Sequence, residues 1–208
     1  ILHVHYNTKF PNTTPEMFSF WFKNMCNGKG KYHWYKWWHP MDHIRAWYND
    51  DEIHPKYDMI NGYIGHTKYV YEYLGKNTGN PMEKLRIDFI DPKLFGFKEN
   101  DLINREIICA NVQVMNLQIQ ATRFIHFVYK DNNSNGCIMK SRFWIGDQSV
   151  VHNTVPIPLR WIIGYVLQWK FIRKLVIPND LGKRMLIHCA QEMNHLATFL
   201  PELYNLTV

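Results

Sequence analysis

The chain has 208 residues, is 46% hydrophobic and carries 24 basic against 18 acidic side chains, a formal charge of +6. That length suits one domain with a sizeable core, and no Gly/Ser/Pro linker or internal repeat divides it, which excludes a multidomain or solenoid plan. Lysines and arginines are spread rather than clustered, so nucleic acid is not an expected partner, and Cys26, Cys109, Cys137 and Cys189 lack C-x-x-C spacing and read as reduced thiols of a cytoplasmic protein.

In chain order, the N-terminal run from Ile1 through His3, His5 and Lys9 shows no signal-peptide pattern. Residues 15 to 26 predict a short helix, capped by Thr14 with Pro15 and Glu16 in its first turn. The stretch 30 to 48, GKYHWYKWWHPMDHIRAWY, packs three histidines among four tryptophans and three tyrosines. Such density suits one wall of a cavity with imidazoles and hydroxyls at its polar points, or an aromatic minicore whose histidines bond to backbone. His39 and His43 are four apart, but Pro40 between them predicts a loop or the first turn of a helix.

Alternation in HTKYVYEYLG predicts a strand over 67 to 74, with Tyr69, Tyr71 and Tyr73 on one face and Val70, Glu72 and Leu74 on the other. Further strands are predicted at 84 to 91, 104 to 115, 121 to 130 and 137 to 146, with Asp131 to Gly136 as the hairpin turn between the last two. Consecutive strands with short turns imply an antiparallel sheet. The stretch from Trp161 to Ile177 is apolar but interrupted by Lys170, Arg173 and Lys174 and short for a span, so it predicts an amphipathic helix packed on the sheet, with a membrane-surface helix as the alternative and no stable membrane insertion.

The last helix is expected to start after Asp180 as cap and to stop at Pro201. On its wheel Glu192 falls inside an apolar arc formed by Leu181, Met185, Cys189, Leu196 and Phe199, with His188 at the edge of that arc. A buried carboxylate must be protonated, paired or bound to a metal. The H-x3-E spacing also lets one helix give a nitrogen and an oxygen to a single divalent cation, although most such pairs are solvated i,i+4 contacts.

Taken together these blocks resemble the zinc-dependent hydrolases of acylphloroglucinols, the family of 2,4-diacetylphloroglucinol hydrolase and phloretin hydrolase. The resemblance runs in order through Trp-His-Pro-Met-Asp-His at 38 to 43, Glu-Tyr-Leu-Gly at 72 to 75, Ser-Arg-Phe-Trp-Ile-Gly at 141 to 146, His-Cys-Ala-Gln-Glu-Met at 188 to 193 and Leu-Pro-Glu-Leu-Tyr at 200 to 204. It implies one zinc ion per chain held by His43, Glu72, His188 and Glu192, with His39 as the alternative to His43. A family tyrosine eight residues before the first ligand is matched by Tyr35, which the resemblance implies orients a ring hydroxyl. A family histidine acting on substrate is matched by His126. A second family tyrosine falls near Phe143 or Trp144, which have no hydroxyl and are read as substrate contacts.

The implied fold is α+β, a Bet v1-like helix-grip in which an antiparallel sheet closes on a long C-terminal helix. Residues 1 to 208 then form a single catalytic domain lacking the helical N-terminal region usual in the family, so that a partner subunit, in a homodimer, is a candidate for closing the cavity. The implied reaction is hydrolysis of the carbon–carbon bond between an acyl group and an electron-rich phenolic ring, in a small phenolic ketone. Two rivals remain: a non-catalytic binder of aromatic small molecules on the same fold, and a metal hydrolase of a different ketone.

Overall fold

The computed structural model describes residues 1–208 apart from 49–62, 77–78, 116–118, 151–155 and 173–176. Seven strands form one antiparallel sheet: β1 (Leu2–Pro11), β2 (His43–Tyr48), β3 (Thr67–Glu72), β4 (Glu83–Ile90), β5 (Arg105–Val114), β6 (Ile119–Lys130) and β7 (Gly136–Val150). Their order is β1-β7-β6-β5-β4-β3-β2, so the chain's first strand pairs with its last and the rest follow as a meander. The helices are α1 (Pro15–Asn24), α2 (Trp34–Trp38), α3 (Glu99–Leu102), α4 (Ile157–Leu167) and α5 (Leu181–Thr207).

The five predicted strands and the first helix are present within a few residues of their expected ends; β1, β2 and α2 are additional to them. In β1, Val4, Thr8 and Phe10 are buried while His3, His5, Lys9 and their neighbours face outward. This alternation seats the N-terminal segment in the sheet instead of leaving it as an appendage. The turn after β6 is held by Asp131, whose carboxylate accepts from Asn133 N and Ser134 Oγ. Gly136 closes it because β1 passes so near that a Cβ would collide with the Phe10 carbonyl.

The core lies between the sheet's concave face and the helices α1 and α5. Phe18, Trp21 and Phe22 of α1 and Cys189, Met193, Leu196 and Leu200 of α5 meet Val70, Phe89, Ile108, Val128 and Met139 there. Two expectations for α5 are corrected. Asp180 makes no side-chain cap; its carboxylate pairs with Arg184 one turn on. Pro201 does not stop the helix, which runs to Thr207. A proline inside a helix costs about 3 kcal/mol. Continuing past it keeps Leu203 and Tyr204 packed on the core, with the Tyr204 ring 5.1 Å from Phe20, and burial of such side chains at about 1.5–3 kcal/mol each when complete is of the size needed to offset it.

The apolar stretch before α5 also departs from expectation. Its helix begins at Ile157, lies along β7, and leaves Trp161 78% and Tyr165 70% exposed, so it is not an amphipathic helix with its apolar side packed away. Residues 173–176 of that stretch lie outside the described residues. Among the described residues, no helix is long and apolar enough to cross a membrane. All four cysteines are free thiols.

Candidate metal centre

Between sheet and α5 lies a cavity of about 330 Å³, within the range of small-molecule sites. Its walls are mostly apolar, including Leu85, Phe89, Val112, Phe124 and Phe143, and its polar points include Tyr35, Glu72, Glu83, His126, Arg184, His188 and Glu192. The polar cluster at one end of the cavity is assembled from the β2–β3 edge of the sheet, with α2 before it, and from α5. Short helix α2 is started by His33, whose Nδ1 accepts from Tyr35 N, and it buries Tyr35; the chain then turns through His39 and Pro40 so that His43 opens β2. His43 pairs directly across the ladder with Glu72 on β3, at a register irregularity. From the other side α5 supplies His188 and Glu192, one turn apart on its buried face.

Each histidine is fixed from behind. His43 Nδ1 donates to the Tyr35 carbonyl at 2.8 Å, and His188 Nδ1 donates to Asp42 Oδ2 at 3.0 Å. These bonds leave both Nε2 atoms to the interior, 3.3 Å from each other. Glu192 Oε2 lies 3.6 Å from His43 Nε2 and 3.8 Å from His188 Nε2, and Glu72 Oε2 lies 3.8 Å from His43 Nε2. The carboxylate contacts are too long for hydrogen bonds. They are close to the separation, roughly 3.3–3.6 Å, required of donors about 2.0–2.2 Å from one tetrahedral centre. His43, His188 and Glu192 form the tight trio; Glu72 joins through His43 at its edge.

The electrostatics of the four groups are set by burial and by one another. Burial, reinforced by the charge of His188, holds His43 well below the usual imidazole range. Burial also opposes charge on His188, but the Asp42 hydrogen bond and the nearby Glu192 and Glu72 outweigh it and raise its pKa to about 9. Glu192 is pushed up to about 8 chiefly by burial, and Glu72 is raised for the same reason. Two neutral imidazoles with Nδ1 committed would point lone pairs at each other and at two carboxylates, an arrangement relieved by a shared cation or by protons. The donor set therefore fits a divalent ion that accepts nitrogen and oxygen ligands.

A second cluster, His39, Asp42 and His188, is brought together beside the first. Its atoms are already committed. Asp42 accepts from Gly75 N and Lys76 N at 2.9 and 2.8 Å besides His188, and these bonds hold its carboxyl well below the usual range against the opposing effect of burial. His39 accepts from Asp42 N on Nδ1, meets Gln191 Oε1 at 3.2 Å through Nε2, and stacks on the His188 ring at 4.8 Å. Geometry thus turns His43 Nε2 toward His188 and Glu192 and leaves His39 behind His188.

Tyr35 is doubly tied to the cluster: its hydroxyl donates to Glu72 Oε2 and its ring stacks on His43 at 3.9 Å. It lines the cavity as well. His126, whose face the sequence left open, is buried on the inner side of β6, where Nδ1 meets Ser141 Oγ of β7 at 2.8 Å. Burial lowers its pKa to about 3, so the ring is neutral near pH 7 with Nε2 left for a ligand. Phe143 lines the cavity, but Trp144 does not; it sits on the other face of β7, its ring 6.3 Å from His3. Trp144 as a substrate contact is therefore corrected, because successive side chains of a strand point to opposite faces and Phe143 and Ile145 hold the inner one. Sequence reading gave no role to Asp42, Ser141 or Arg184, although the first two stand inside the blocks that carry the family resemblance.

Comparison with solved structures places this arrangement in a known fold. Ara h 8.0201 superposes with a TM-score of 0.50 at 7% identity, over 96% of this chain and 97% of that one. A norcoclaurine synthase from Thalictrum flavumn, at 10% identity and 95% coverage of each chain, gives 0.45. The fold is the Bet v1-like helix-grip: an antiparallel sheet closed on a long C-terminal helix. A direct sequence comparison with curated proteins matches none. The family model described as DAPG hydrolase PhiG domain, however, matches residues 1–205, the whole of the sheet and nearly all of α5. With its buried His/Glu cluster facing a ring-sized cavity, the chain belongs to the DAPG hydrolase family.

Proposed function

We propose that the protein is a zinc-dependent hydrolase that cleaves the carbon–carbon bond between an acyl group and an electron-rich phenolic ring. Membership of the DAPG hydrolase family supports hydrolysis of the acylphloroglucinol type. The observation that carries the finer reading is the convergence of His43 Nε2, His188 Nε2 and Glu192 Oε2, with Glu72 alongside, at the end of an apolar cavity. A carrier of aromatic ligands has no use for two carboxylates buried at such cost.

His43, Glu72, His188 and Glu192 would hold the ion, which when bound supplies Lewis acidity at the acyl end of the cavity. The residues around it do the rest. Phe124, Phe143 and Leu85 enclose the ring and exclude bulk water. His126, neutral and anchored by Ser141, offers Nε2 to the acyl oxygen; as a neutral ring it acts as a hydrogen-bond donor and not as a cationic acid. Tyr35 fixes Glu72 through its hydroxyl and borders the space where a ring hydroxyl would lie. In the balanced reaction water adds its hydroxyl to the acyl carbon and its hydrogen to the ring carbon as the bond between them breaks. The products are a phenol and a carboxylic acid.

The test is a substrate panel offered to the zinc-loaded protein, with phenol and acid products quantified. Ketones of 2,4,6-trihydroxybenzene are expected to be cleaved, and analogues stripped of ring hydroxyls to survive, because the hydroxyls feed electron density into the carbon that takes the proton. Hydrolysis of an activated ester with every acylphloroglucinol left intact would refute the carbon–carbon reading and favour a different substrate for the same centre. His126→Ala is expected to keep its zinc and lose on the order of a hundredfold in turnover.

A further inference from the structure

One cation in the cavity has no part in the chemistry above. Arg184 stands one turn before His188 on α5, so residues 184, 188 and 192 share a face of the helix. Its side chain is 11% exposed and lines the cavity. Its ion-pair partner, Asp180, is 61% exposed, on the solvent side of the first helical turn. The pairing engages one side of the guanidinium, Nε 3.0 Å from Asp180 Oδ2 and Nη2 donating to Asp180 Oδ1 at 3.3 Å, and among the described residues no hydrogen bond is formed by Nη1. Glu83 of β4, also in the wall, is within its electrostatic reach. A guanidinium in the wall of an apolar cavity whose paired side is turned to solvent keeps its Nη1 donors for an acceptor inside the cavity.

We propose that Arg184 is the specificity residue for an anionic ring oxygen, binding the substrate as a phenolate at the position across the ring from the acyl group. The assignment rests on the proposed placement of the acyl group at the His/Glu cluster. Residues 184 and 188 stand one helical turn apart, a rise of roughly 6 Å, so the guanidinium and the His/Glu cluster enter the cavity at different depths, as the two ends of a para-substituted ring require. An acyl group makes that hydroxyl acidic by conjugation, and arginine stays charged throughout the working pH range. The apolar walls on both sides strengthen the pair, whereas a methylated oxygen would leave the guanidinium unanswered. Because the pair forms with bound substrate before any bond changes, Arg184 governs KM more than kcat.

The test uses 4-nitrophenol on the metal-loaded protein, since its nitro group stands in for the acyl group, it is not hydrolysed, and its phenolate is seen by its visible absorption. Wild type is expected to bind the phenolate and to move its ionisation to lower pH. Arg184→Gln should weaken that binding about tenfold or more and abolish the movement, Arg184→Lys should restore part of both, and 4-nitroanisole should bind all three alike. Asp180→Asn, which frees Arg184 from its solvent-side partner, should bind 4-nitrophenolate at least as well as wild type. Equal losses for phenol and anisole, or the same loss in Asp180→Asn, would make Arg184 a structural residue and overturn the proposal. A stronger Arg184 dependence for 4-nitrobenzoate than for 4-nitrophenolate would overturn the phenolate in favour of a carboxylate. None of these readouts needs turnover, so a phenolate site without ketone hydrolysis would sink the function proposed above and leave this one standing.

Discussion

Two buried polar sites occupy the same face of β3, and they are satisfied in opposite ways. Lys68 is fully buried, yet Nζ donates to the Phe22 carbonyl at the end of α1 and lies 5.1 and 5.3 Å from the centres of the Tyr48 and Phe89 rings. Nothing further is asked of it; the ammonium closes a helix terminus. Four residues on, Glu72 lies 3.8 Å from His43, at the edge of the cluster that His43 forms with His188 and Glu192. There the two histidines are bonded from behind, to the Tyr35 carbonyl and to Asp42, and the Tyr35 hydroxyl holds Glu72 Oε2, while the Nε2 atoms and the carboxylates converge at 3.3–3.8 Å. A charge answered by its own partner is structure, whereas two imidazoles fixed from behind with their Nε2 atoms turned toward carboxylates make a cluster that could bind an ion.

The contrast is broken most severely by removing a ligand. Wild type is expected to hold about one zinc per chain, and His188→Ala or Glu192→Ala to lose most of it together with at least a thousandfold in turnover, read by metal analysis and product formation. Lys68→Met should keep full zinc. Retention of zinc by both ligand variants would place the ion elsewhere. Loss of zinc by the Lys68 variant would show that the two sites are not separate.

Asp42→Asn reaches the same centre from behind. Its amide can accept from His188 Nδ1 but brings no charge and disturbs the bonds from Gly75 and Lys76, so zinc affinity should fall roughly ten- to a hundredfold while saturating zinc restores most activity. Unchanged affinity in a chelator competition would mean that His188 needs no anionic support. This residue is in plain view in the sequence, between His39 and His43, yet its role is not legible there: the contact joins residues 146 positions apart and forms only when α5 closes on the loop before β2. His188 and Glu192 can be read because one helix holds both and an apolar arc surrounds the carboxylate. His43 can be named only through family resemblance, since Pro40 hides the change from helix to strand and β2 is six residues long.

Lys68 supplies the pH dependence that sharpens the comparison. Burial, partly opposed by the nearby Cys26, pushes its pKa down to about 8 from a reference of 10.5. Between those values the unfolded chain binds the extra proton, so this residue's contribution makes stability rise with pH from about 8 to about 10.5. The full swing is at most about 3 kcal/mol, because each tenfold change in a protonation equilibrium is worth roughly 1.4 kcal/mol. Lys68→Met should lack it. Subtracting the variant's denaturation profile from that of wild type isolates the contribution from the buried thiols and tyrosines, which titrate in the opposite sense; a flat difference between pH 8 and 10.5 would show that the ammonium is not held against its burial.

The smallest expected effect separates the two faces of β7. The fold is largely legible here, since Met139, Ser141, Phe143 and Ile145 share a parity that the alternation of the strand carries inward, and all four are buried. Resemblance to a family position blurs that parity and admits Trp144 beside Phe143. Phe143→Ala should therefore open the cavity wall and raise KM several-fold with some loss of stability, on the order of 3 kcal/mol. Trp144→Phe should leave kcat, KM and zinc content alone and change stability by no more than about 0.5 kcal/mol, because its ring packs beside His3 on the outer face. If the pair reversed, with Trp144→Phe altering KM and Phe143→Ala silent, β7 would be seated one residue out of register, and His126, which takes its anchor from Ser141 on the same strand, would turn its ring away from the substrate with it.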